Sequence, residues 1–195
     1  MKRRFALLAS IAAILATLVL FTYTTSISQQ NAKKADPNLI KKGEMLVTLG
    51  GCNDCHSPKV MTAMGPMPDS SRLLSGHPSG LKIPELPVNI IGPDKWGGVT
   101  NNDLTAWFGP WGVSFAANIT PDNITGIGAW TEDVFIKTMR TGKHMGAGRA
   151  ILPPMPWFNL AKLTDDDLKS IFAYLKSIKP VSNEVPLPVP PAGGK

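Results

Sequence analysis

Cysteine is scarce in this chain: there are only two, Cys52 and Cys55. A disulfide framework of the kind that staples small secreted domains needs several pairs, so that class is excluded. Histidine is scarce too, with His56, His77 and His144 the only three. A structural zinc site needs a second Cys or His pair at ligand spacing, and no such pair exists. Charge is thin, at 17% of residues against a hydrophobic 43%, which is the balance of a folded globular chain rather than a disordered one. The net charge of +6 carries little information about partners, because Lys2, Arg3 and Arg4 supply half of it. From residue 5 onward, 17 basic residues face 14 acidic ones. No basic patch or stripe remains to support a nucleic-acid role.

What the chain does have begins with those three basic residues. They lead into an apolar run, Phe5 to Phe21, broken only by Ser10 and Thr17 and followed by a polar stretch to Gln30. That is the layout of a secretory signal. Its length of about 17 residues is also the short limit for a bilayer span, so a cleaved signal and a retained membrane anchor both remain open. Either way, residues 1–35 serve to deliver the rest across a membrane.

The two cysteines belong to Cys52-Asn53-Asp54-Cys55-His56. A Cys-x-x-Cys-His run reads as a c-type haem attachment site. Two thiols add across the two vinyl groups of one haem, and the adjoining imidazole is carried under the iron as an axial ligand. A redox dithiol is the competing reading, but a thioredoxin-like site calls for strand-helix alternation that this sequence lacks.

Three helices are legible. Asp36-Pro37 is a start signal, with Leu39, Ile40, Met45 and Leu46 at helical spacing and Gly50-Gly51 as the stop. Gly43 within it is either a point of close helix approach or simply a weak helix position. Thr131 caps a second helix that Gly142 closes. Thr164 opens the third, with Asp165, Asp166 and Asp167 in its first turn and an apolar face of Leu168, Ile171, Phe172, Leu175 and Ile178. Residues 183–195 form a Pro-rich tail, expected to be extended or disordered.

Between Ser57 and Asn118, eight prolines with interspersed glycines exclude a long helix. This stretch is expected to be loop, with at most a short hairpin at Ile90-Ile91 or Val113-Ser114-Phe115, and to act as a functional loop or cofactor cover. Its aromatic residues, Trp96, Trp107, Phe108, Trp111 and Phe115, suit either a haem-pocket wall or a satellite core. Arg72, Trp107 and Trp111 are candidate donors to haem propionates.

A His-ligated haem iron has one more axial position, and its occupant separates an electron carrier from a gas- or peroxide-binding protein. His77, His144, Met145, Met155 and six other methionines are the candidates. Met155 stands out because Pro154 and Pro156 stiffen the backbone on both sides. A methionine is also a common core filler, so the residue types alone leave the choice open.

Several further motifs carry a family resemblance: Asn118-Ile119-Thr120-Pro121-Asp122, Thr125-Gly126-Ile127-Gly128, Trp130-Thr131, Pro154-Met155-Pro156-Trp157 and Leu163-Thr164 through Leu175. Together with the Cys52–His56 run, and in this order, they resemble the mono- and dihaem c-type cytochromes, including the cytochrome subunits of bacterial membrane dehydrogenases. The resemblance implies an all-α cytochrome c domain over residues 36–182 around one covalent haem c held by Cys52, Cys55 and His56, with Met155 as distal ligand. It implies single-electron transfer rather than catalysis, on the periplasmic side of the bacterial inner membrane, between redox partners such as a donor dehydrogenase or cytochrome complex and an acceptor oxidase or reductase. A catalytic or gas-sensing haem protein with an open distal site is the alternative. With a single attachment motif, the chain departs from the multihaem members.

Overall fold

The structure, a computed structural model, describes residues 36–191. The apolar run, and the signal or anchor expected of it, lie outside the described residues. Among the described residues no helix is long and apolar enough to cross a membrane.

Among the described residues five α-helices form: α1 (Pro37–Leu49), α2 (Cys52–His56), α3 (Glu132–Thr141), α4 (Trp157–Leu160) and α5 (Asp165–Ser177). Their ends follow from local chemistry. The Thr131 side chain accepts from the Val134 N–H at the start of α3, and Gly142, at φ 63°, donates its N–H to Thr138 O at the end. Only glycine fits there, because a Cβ would also lie 2.4 Å from the Trp157 ring. A capping box opens α5, in which the Thr164 hydroxyl accepts from Asp167 N and the Asp167 carboxylate accepts from Thr164 N. Lys42 on α1 reaches the same carboxylate at 2.7 Å. With the Thr164 hydroxyl, it holds Asp167 down at a pKa of about 2.

A close approach of two helix backbones lies one residue beyond that ion pair. Gly43 is buried on α1, and a Cβ at this position would come within 1.9 Å of Ser170 O on α5. Glycine is what lets the two backbones meet. Around the crossing, Val47, Leu168, Ile171 and Leu175 bury their side chains together with Phe135 and Met139 of α3. The Phe135 and Phe172 rings pack with centroids 5.3 Å apart. Each fully buried side chain of this kind contributes about 2 kcal/mol through removal of apolar surface from water.

The all-α expectation does not hold, because residues 57–118 build two antiparallel sheets. Strands β1 (Lys59–Thr62) and β2 (Gly65–Pro68) form a hairpin. Strands β3 (Val99–Thr100), β4 (Ala106–Gly109) and β5 (Gly112–Phe115) form a three-stranded sheet in that order. Prolines exclude helix here but not strand: Pro66 and Pro68 lie in β2, which pairs on one side only and so has no ladder bond to lose there. Burial along β5 does not alternate: Gly112, Val113 and Ser114 are buried in succession. Of the two hairpin candidates, Val113–Phe115 lies within β5, while Ile90 belongs to a 3-10 turn and Ile91 makes a single bridge to Trp96.

The described part of the Pro-rich tail, residues 183–191, runs back over this sheet as an extended strap. Val189 pairs with Val113 through two backbone bonds of 2.8 and 2.9 Å. Gly112 accommodates the crossing, since a Cβ there would lie 2.1 Å from Val189 O. Nearer its start, the Asn183 side chain donates to Ser75 O and His77 O and accepts from Ser79 N. The unit beginning at Pro37 is compact and includes the tail.

The helix crossing gives a direct test. Replacing Gly43 with Ala should destabilise the protein by about 3 kcal/mol, at the upper end for overpacking because the obstacle is backbone, as read from the denaturant midpoint. A variant as stable as the parent would contradict the crossing.

Candidate functional site

Gly50 and Gly51 end α1 and let the chain turn at once into α2. Gly51 takes φ 62°, and its carbonyl accepts the Asp54 N–H at 2.9 Å. Positions 52, 55 and 56 of α2 are spaced i, i+3 and i+4, so two thiols and an imidazole share one face of a single helical turn. The spacing that marked the motif in the sequence is thus a spatial convergence.

Burial raises the pKa of both thiols; at Cys55 the Asp54 carboxylate adds to the rise. No disulfide joins the two cysteines. A thiol-disulfide centre works through the thiolate and lowers a cysteine pKa, so this environment runs the opposite way. Among the described residues no cluster of three or more His, Cys, Asp or Glu is arranged to hold a metal ion, which also disfavours the zinc reading.

His56 is buried, and its imidazole is held neutral, chiefly by desolvation. Its Nδ1 lies 2.7 Å from Ala117 O. A carbonyl only accepts, so Nδ1 carries the proton and Nε2 keeps its lone pair. Nε2 makes no hydrogen bond to another described residue. A neutral imidazole with Nδ1–H fixed on a carbonyl and Nε2 available is the arrangement of a metal-ligating histidine. The donor set therefore fits covalent haem.

Three layers hold that carbonyl. Gly76 N donates to His56 O at 2.7 Å and His77 N to Ala116 O at 2.9 Å, so residues 74–77 lie between the motif and the 116–118 segment. Gly76, at φ 78°, permits the contact, since a Cβ would come within 2.5 Å of Ala116 O. Asn118 then locks the segment from the other side. Its Oδ1 accepts from Thr120 N and the Thr120 hydroxyl, and its Nδ2 donates to Val181 O at 2.8 Å. Asp122 closes the following turn by accepting from Thr125, and these bonds lower its pKa. The Asn118–Asp122 motif is thus a brace for the Ala117 carbonyl.

Met155 does not lie on the motif's turn. It is half-buried between Pro154 and Pro156, with its N–H donating to Leu152 O at 3.3 Å. Its loop is fastened to β5, where the Ser114 hydroxyl donates to Pro153 O at 2.5 Å and accepts from Trp111 Nε1 at 3.1 Å. The other histidines have different roles. His77 is fully buried, donating from Nε2 to Leu81 O and accepting at Nδ1 from Thr105. His144 is exposed, edge-on to Trp130. The three candidate propionate donors are engaged within the protein: Arg72 with Asp69 at 2.8 Å, Trp107 with Leu104 O at 2.8 Å, and Trp111 with Ser114.

Ala117, Ser114 and Gly76 escaped the sequence reading. Ala117 acts through its backbone carbonyl, which leaves no side-chain signature. Ser114 and Gly76 matter through contacts with residues distant in sequence, Pro153 for the one and Ala116 for the other.

Two cysteines and a buried, neutral histidine on one helical turn fit the attachment motif of c-type cytochromes. No protein-family model matches the chain. It is 30% identical over 158 residues to the cytochrome c subunit of alcohol dehydrogenase (quinone) from Gluconobacter oxydans (strain 621H), covering 80% of this chain and 25% of the relative. It is 28% identical over 178 residues to the gluconate 2-dehydrogenase cytochrome c subunit of Pantoea cypripedii, covering 88% of this chain and 32% of that one. A shorter match, 39% over 85 residues, is to the fructose dehydrogenase cytochrome subunit of Gluconobacter japonicus, covering 42% of this chain and 17% of the relative. The chain belongs to the c-type cytochromes, as a homologue of the cytochrome c subunits of bacterial dehydrogenases. It spans at most about a third of the length of these relatives.

His77 supplies a pH prediction. Burial sets its folded pKa below the ordinary 6.5, with the Leu81 bond opposing only in part. Below pH 6.5 the unfolded chain therefore binds a proton that the folded one refuses. Stability is fully present above that value and is lost as pH falls toward the depressed one. The thermal midpoint should drop between pH 7 and pH 5, and His77→Gln should reduce the drop; an unchanged drop in the variant would remove His77 as its source.

Proposed function

We propose that this protein is a monohaem c-type cytochrome that passes single electrons and is not itself a catalyst. The observation that carries the reading is the His56 imidazole, neutral and bonded through Nδ1–H to Ala117 O, beside two thiols on the same turn. Cys52 and Cys55 hold one haem c covalently, and His56 Nε2 is the proximal ligand. Met155 is the distal ligand, a soft donor that stabilises the reduced state and raises the potential. The cofactor supplies the ferric-ferrous couple when bound.

The chain's own residues ligate, orient and exclude water. The Ala117 carbonyl raises the basicity of His56 and fixes its ring plane. The prolines beside Met155 limit the entropy that its ligation costs. The homologues are cytochrome subunits of dehydrogenases, which supports a dehydrogenase as electron donor; an oxidase or reductase is the corresponding acceptor. The apolar run at residues 5–21 supports a place on the periplasmic side of the bacterial inner membrane, anchored or secreted.

Two measurements test this. The pyridine haemochrome should give one haem per chain, retained through acid-acetone extraction, and removing the thiols by Cys52→Ala and Cys55→Ala should abolish that retention. The ferric protein should show the near-infrared sulfur-to-iron band, and Met155→Ala should remove it and lower the reduction potential. A band that survives Met155→Ala would reassign the distal ligand, and a wild-type protein without the band would favour an open, gas- or peroxide-binding site.

A further inference from the structure

Strand β5 touches both sides of the site. At its buried centre, Ser114 is only 7% exposed, and its hydroxyl donates to Pro153 O, two residues before Met155. Just past its end, Ala117 O accepts from His56 Nδ1. Three residues separate the two attachment points, at most about 11 Å of extended chain. The strand is itself fixed on every free side: by β4 along Ala106–Gly109, by Val189 of the tail, and by Thr105 O, which accepts from Ala116 N.

From this geometry we propose that the three-stranded sheet is the spacer between the two axial ligands, and that Ser114 is a positioning residue that holds the Met155 loop at its ligating distance. The proposal rests on the assignment of Met155 as distal ligand. Pro153 and Pro154 have no backbone N–H, so their stretch of the loop cannot anchor itself through main-chain donation. Besides the Met155 N–H bond to Leu152 O, the Pro153 carbonyl is held by a donor from outside the loop, the Ser114 hydroxyl. Trp111 Nε1, donating to the same oxygen, turns the hydroxyl proton toward Pro153 and polarises it. Without the hydroxyl, Pro153 O loses this donor at a partly buried position, and the loop is free to swing away from the iron.

The distinguishing readout is competition for the distal position. Imidazole binds only molecules whose methionine is off the iron, so its apparent dissociation constant falls in proportion to that population. Loss of one such hydrogen bond corresponds to about a tenfold change. In the ferric holoprotein, Ser114→Ala should lower the apparent dissociation constant for imidazole about tenfold, and Ser114→Thr, which keeps the hydroxyl, should restore most of it. Ile171→Val, a helix-core change far from the loop in sequence, should lower the thermal midpoint without moving the imidazole titration. If the wild-type near-infrared band is present and Ser114→Ala leaves the titration unchanged, the positioning role is overturned while methionine ligation stands. If Ile171→Val shifts the titration as far as Ser114→Ala does, the effect is general destabilisation and the proposal fails. If the wild type lacks the band, the ligand assignment fails first.

Discussion

The hydrogen bond from His56 Nδ1 to the Ala117 carbonyl is the constraint on which the rest of the structure depends. It links residues 61 positions apart, and it decides which ring nitrogen keeps its lone pair. A carbonyl on a wandering loop could not hold an imidazole plane. This one is therefore clamped by His77 N on one neighbour and by the Asn118 turn on the other. Much of the chain outside the helices serves that clamp. The buried His77 tethers residues 74–77 through Thr105, and Asn183 of the tail binds the carbonyls of Ser75 and His77.

The helices provide a second frame with different physics. Their crossing at Gly43 and Ser170 is set by backbone approach and filled by apolar side chains, with charge confined to the edge at Lys42 and Asp167. The short α2 leaves this frame directly after α1, so the position of the motif is inherited from the crossing. The sheet and tail then meet the motif through polar contacts. Apolar packing places the turn of the Cys52–His56 motif, and hydrogen bonds orient the ring it carries.

What could be read from the sequence follows that division. The caps at Thr131 and Thr164, the stops at Gly50–Gly51 and Gly142, and the face from Leu168 to Leu175 are local signals, and the helices form where those signals stand. The motif at Cys52–His56 was legible because its chemistry is contained in five residues. Of the sheets, only Val113–Phe115 of β5 is legible as a strand; β3 is only two residues long, and the other strands carry no local signal. Composition leaves the tail either extended or disordered, and what decides for the extended form are partners such as Val113 and Ser75, far away in sequence. The prolines forbid helix, but they leave room for more strand than the single short hairpin expected. Met155 was chosen for its flanking prolines and by resemblance; the Ser114 bond that anchors its loop involves no local pattern.

The long separations also set an order of events. α1 packs on α5, and the segments around His56 are tied down by Asn183, through bonds spanning 106 and 108 residues. Contacts of such separation form late, after the cost of closing long loops has been met. The His56 ring, by contrast, emerges early in synthesis, long before the segments that clamp its carbonyl partner are complete as far as Asn183. The topology thus gives the nascent chain an interval in which the imidazole is unclamped, and it closes that interval by the same contacts that later bury the ring.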